Sequence, residues 1–141
     1  MLIALPLLII PVVIYAIVIL TGVVGTGGVA AAEQALRDPI FTVPMVSGSG
    51  WNIGSGDLIL FLALLLLFFE LLKSTSSQKV AIVNHALSMI LFVACLVAFL
   101  LIKGFATSTF FLILTMIMLD VLAGFIVTII SARKDLEFGA G

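Results

Sequence analysis

Four long stretches of apolar residues are separated by polar or glycine-rich breaks, the first long and the others short. They predict helices over 1–24, 57–73, 79–102 and 105–131, with a connection over 25–56 and a tail over 132–141. A helix rises 1.5 Å per residue, so about 20 apolar residues cross a hydrocarbon core roughly 30 Å thick. The first, third and fourth stretches meet that length. The second reaches it only if Trp51 to Gly56 join the helix or lie at the membrane border. None alternates apolar and polar residues as barrel strands do, so the backbone must satisfy itself in helices.

The expected fold is an all-α integral membrane protein with four transmembrane helices. Ser74 to Gln78 and the link around Lys103-Gly104 are short, which makes helices 2–3 and 3–4 tight antiparallel hairpins. Pro6 falls where a missing N–H costs little, and Pro11 is expected to kink the first helix. In the first connection, residues 30–36 predict a short interfacial helix. Glu33 and Arg37 are spaced there for an ion pair. Pro39 and Pro44 end it, and the stretch around Trp51 is rich in turn residues, with Ser55 or Asp57 as caps for the second helix.

Composition supports this picture. The chain has 141 residues, 64% of them hydrophobic and 9% charged. A soluble domain carries roughly a quarter charged residues, and a disordered chain is poor in hydrophobic ones. The net charge is −1, so nothing favours a nucleic-acid backbone. One cysteine and one histidine cannot form a structural zinc site, and no phosphate-loop, zinc-hydrolase or nucleophile-elbow motif occurs. No enzymatic activity, cofactor, metal or soluble substrate is expected.

Orientation follows from the basic residues. Lys73, Lys79, Arg133 and Lys134 fall on one side and Arg37 and Lys103 on the other, which puts both termini in the cytoplasm. Small size and brief loops suggest a bacterial inner membrane. Ala30-x-Ala32 before Glu33 resembles a signal-peptidase site. The apolar run before it is long and has no basic flank, so an uncleaved helix is expected.

Polar groups within apolar stretches are costly and should face the bundle interior or water. Asp120 is the deepest carboxylate, 13 residues and about 20 Å before Arg133. It is a candidate proton- or cation-binding group, or else a carboxyl hydrogen-bonded to a neighbouring helix. Gly124 and Thr128 follow it at four-residue steps, a small-residue stripe that invites close helix packing. Asn84, His85 and Ser88 form the matching polar set on the third helix. Glu70 is set either to pair with Asn84 or His85 across the hairpin or to reach the interface beside Lys73. Asp57 and Lys103 are placed for an exposed ion pair. Ala94 and Ala98 read as packing positions, and Cys95 as an inert thiol.

Phe41, Met45 and Trp51 in the long connection are candidate anchors for the bilayer interface or a partner. The function expected from this pattern is an accessory or structural subunit that binds other membrane proteins. The competing expectation is an oligomeric small channel, or a proton- or cation-coupled transporter, built on Asp120 and the Asn84/His85 seam. The expected partners are the lipid bilayer and either other membrane proteins or further copies of the chain.

Overall fold

A computed structural model describes residues 5–22, 28–73 and 78–139. The elements are α1 (Ile9–Gly22), α2 (Gly28–Arg37), β1 (Pro39–Pro44), β2 (Gly50–Gly54), α3 (Ser55–Lys73), α4 (Gln78–Leu101) and α5 (Ser108–Gly139). Three helical stretches are long and apolar enough to cross a membrane: Ser55–Lys73, Ala81–Leu101 and Ser108–Lys134. The first helix differs from its expected 1–24. Its 14 residues span about 21 Å, less than a hydrocarbon core, so it is a shorter apolar helix rather than a fourth of full length. Pro11 is the third residue of α1, where the backbone N–H has no intrahelical acceptor, so the proline costs the helix no hydrogen bond. The expected turn at Ser74–Gln78 lies largely outside the described residues.

The helices alternate in direction. The start of α1 meets the end of α3, where Leu7 N–H donates to Glu70 Oε2 at 2.8 Å and Lys73 Nζ donates to the Leu5 carbonyl at 2.5 Å. Further along α1, the Tyr15 hydroxyl donates to the Gly104 carbonyl at 2.8 Å and lies 2.5 Å from Thr107 Oγ1, in the link between α4 and α5. Gly104 holds a φ of +92°, and a Cβ there would fall 2.9 Å from Ile19, so glycine lets the link close against α1. The rings of Tyr15, Phe105 and Phe110 stack edge-on or tilted at 4.8–5.4 Å around this point.

The core runs from this aromatic cluster through Ile113 and Ile117 of α5 to Ala63 and Leu67 of α3. Outward faces are apolar too: Ile17, Phe61, Leu64, Ile90, Val97 and Phe125 are all exposed. Water would penalise that surface, and lipid does not.

In the long connection the helix expected over 30–36 is present as α2, and the stretch after it, expected to be turns, is ordered as a hairpin. The hairpin is two-stranded and antiparallel; Phe41 faces Ile53, Thr42 faces Asn52 and Val43 faces Trp51. Asp57 Oδ2 accepts the Gly54 N–H at 3.0 Å and so caps α3, while the Ser55 hydroxyl reaches the Ala35 carbonyl at 3.3 Å. Two expected ion pairs are not formed. Glu33 and Arg37 do not pair, and Asp57, engaged in its cap, does not meet Lys103; Lys73 does pair with Glu70, at 3.4 Å.

Candidate functional site

The polar side chains of three helices converge between α3, α4 and α5, toward the Lys73 end. Asn84 and Ser88 lie four residues apart and so share one face of α4. Asp120 looks back from α5, and Glu70 comes from the penultimate turn of α3. Their exposures are 0% for Glu70, 1% for Ser88 and 4% each for Asn84 and Asp120. The antiparallel packing of α4 on α5 sets these levels. Phe99 stacks on Phe111 at 5.9 Å nearer the hairpin end, and His85 meets Gly124 nearer the other.

The two carboxylates have different surroundings. Glu70 is saturated. Its Oε2 takes the Leu7 N–H, and its Oε1 takes Asn84 Nδ2 together with Lys73 Nζ at 3.4 Å. It therefore ties the start of α1, the end of α3 and the face of α4 together, and it does not snorkel to the surface. The expected pairing with Asn84 is formed, whereas the alternative of a carboxylate at the interface is not, since Glu70 is fully buried even though it meets Lys73; no hydrogen bond to His85 is formed.

Asp120 has no such cradle. Ser88, Glu70, His85 and Lys73 are its electrostatic neighbours, yet the Ser88 hydroxyl stops short of a well-formed hydrogen bond. Among the described residues, three buried polar atoms here have no hydrogen-bond partner: Asn84 Oδ1, His85 Nδ1 and Ser88 Oγ. Buried polar atoms are normally paired, with protein or with ordered water. Beside these three is a cavity of about 10 Å³ lined by Ala81, Asn84, His85, Asp120, Gly124 and Val127. That is room for about one water molecule.

Gly124 shapes this cavity. A Cβ at that position would lie 2.5 Å from His85 Nδ1 and 3.1 Å from its Cγ, so only glycine lets the imidazole lie against α5. Thr128, the next residue of the expected stripe, is exposed and donates to the Gly124 carbonyl at 2.8 Å; it stands outside the site. Phe41, Met45 and Trp51 are far from it in sequence and are exposed on the hairpin. Among the described residues, no group of three or more His, Cys, Asp or Glu side chains is arranged to hold a metal ion.

Sequence reasoning passed over Tyr15. The signal was available: it is the only tyrosine and lies inside an apolar run, and a buried phenol needs a partner for its hydroxyl.

The fold and composition define an α-helical membrane protein with a buried polar cluster. Compared with protein-family models, with curated proteins and with solved structures, the chain matches none.

Proposed function

We propose that the chain is a membrane subunit that contributes an intramembrane proton- or cation-binding site to an oligomer. The observation that carries this reading is Asp120. It is a buried carboxylate without a hydrogen-bond cradle, beside three orphaned polar atoms and a cavity one water wide. Intramembrane ionisable residues of this kind mark ion sites and proton relays. In this reading Asp120 exchanges the proton or cation, Ser88 and Asn84 Oδ1 supply further oxygens, and His85 relays. The chain acts by binding rather than by catalysis. α1 is the fourth membrane-inserted helix, and both termini face the cytoplasm across a bacterial inner membrane. The orientation rests on the distribution of Lys and Arg.

A pH-difference infrared spectrum of the purified protein tests this directly. Wild type should show the carbonyl stretch of a protonated carboxyl appearing as pH falls. Asp120→Asn should lose that signal, keep its helical circular dichroism, and lose proton or cation flux in liposomes. An unchanged spectrum or unchanged flux in Asp120→Asn removes Asp120 from the function.

A second reading is a structural accessory subunit without ion traffic. It is favoured by Glu70, whose carboxylate is wholly engaged in holding helices together. It predicts co-migration with larger membrane proteins at fixed stoichiometry after gentle extraction, with no titrating carboxyl.

A further inference from the structure

Strands β1 and β2 carry no charged side chain; none occurs from Pro39 to Gly56. Their pairing sorts the side chains by face. Directly opposed residues share a face and alternate positions switch it, so Phe41, Val43, Trp51 and Ile53 lie together on one side. Thr42 and Asn52 lie on the other, where the Thr42 hydroxyl donates to Asn52 Oδ1 at 2.7 Å. The hairpin is thus apolar on one face and polar on its back.

Most of the apolar face is uncovered. Ile53 is 8% exposed where β2 meets α2 and α3, while Phe41 is 47% and Trp51 52% exposed. The face therefore turns toward the bundle at Ile53 and continues past its edge. A two-stranded hairpin is marginal in water unless its apolar face packs on something. What lies beside it follows from the chain path. Gly54 is bonded directly to Ser55, the first residue of a span-length helix, and the Asp57 cap fixes the junction. No linker separates the hairpin from the level at which α3 enters the membrane. Gly56 tightens this further: a Cβ there would fall 3.1 Å from the Leu36 carbonyl oxygen, so glycine lets α2 come close to the same junction.

We propose that the hairpin is a membrane-docking element, with the Phe41–Val43–Trp51 face seated in the headgroup region of the bilayer and the Thr42–Asn52 face toward water. The lipid surface is already continuous with the exposed flank of α3, and an uncharged apolar face matches its acyl boundary. Tryptophan favours that zone because its ring is apolar and its N–H can still reach polar groups. The inference is independent of the Asp120 site.

Trp51 is the only tryptophan, so the full chain carries its own probe. In phosphatidylcholine vesicles, lipids brominated near the headgroup should quench Trp51 emission more strongly than lipids brominated near the chain end, and aqueous iodide should quench it weakly. The double variant Trp51→Phe, Asn52→Trp moves the fluorophore to the opposite face. There iodide should quench strongly and brominated lipids weakly. Strong iodide quenching of wild type overturns the proposal. So does the absence of quenching by either agent, which means that protein, such as a second copy, covers the face. Equal lipid quenching at positions 51 and 52 overturns it as well.

Discussion

Removing the Glu70 carboxylate should destabilise the bundle, and removing the Asp120 carboxylate should not. Glu70→Leu keeps a side chain of similar reach but leaves the Leu7 N–H and Asn84 Nδ2 without acceptors. A stranded buried donor costs about 1–3 kcal/mol in water-soluble proteins. Within membranes, interhelical hydrogen bonds average about 0.6 kcal/mol and reach about 1.7, because the unfolded chain in lipid also finds partners. An ionised acceptor roughly doubles each bond. Two such bonds therefore give a loss of about 2–7 kcal/mol. Lys73 adds under about 1 kcal/mol, since its 3.4 Å contact is loose and it also holds the Leu5 carbonyl. Asp120→Asn keeps the size of a buried side chain that has no cradle of donors and should leave stability unchanged or higher. Steric trapping in bicelles, or unfolding by a denaturing detergent in mixed micelles, reads both values. If Glu70→Leu costs under about 1 kcal/mol, the clasp described for Glu70 is not holding α1 in place. If Asp120→Asn costs as much as Glu70→Leu, the two carboxylates do not differ in role.

Two further substitutions test the parts around the site. Tyr15→Phe keeps the ring among Phe105 and Phe110 but removes the hydroxyl from Gly104 and Thr107, and should lower stability by about 1–2 kcal/mol in the same unfolding assay. Gly124→Ala places a methyl group where the His85 imidazole lies and should cost about 1–3 kcal/mol by overpacking; the His85 ring resonances in an NMR spectrum should shift as the ring is displaced.

Much of the helical layout was legible because apolar length is a strong signal. The polar seam was partly legible, since Asn84 and Ser88 share a face by spacing alone and Glu70 was within reach of Asn84 across the turn. The partner of His85 was not legible. Its contact with Gly124 depends on the register of α4 against α5, which the Phe99–Phe111 stack and the closed link at Gly104 set from a distance. The engagement of Glu70 by Leu7 was equally hidden, because it needs the start of α1 to come down beside the end of α3. The hairpin left a signal that went unread. Phe41-Thr42-Val43 and Trp51-Asn52-Ile53 each alternate apolar and polar, on either side of a Ser/Gly turn, which is a strand–turn–strand pattern.

The cavity beside Asp120 sets limits on how a proton would reach it. It is about one water wide, and of its lining residues only His85 and Asp120 are ionisable. Asp120 is buried, whereas His85 is half-buried and so spans the distance between the cavity and the outside of the bundle. The neighbouring carboxylate, Glu70, is occupied by its three donors and offers no second route. If Asp120 exchanges a proton as proposed, the route passes by His85, which makes His85 a gate on rate rather than on affinity. His85→Phe fills the ring volume and removes both nitrogens. After a pH jump, the Asp120 infrared signal should keep its amplitude at equilibrium but rise more slowly than in wild type. An unchanged rate would mean that protons enter elsewhere. Loss of the amplitude would mean that the imidazole holds the proton together with Asp120, and that the site is a pair.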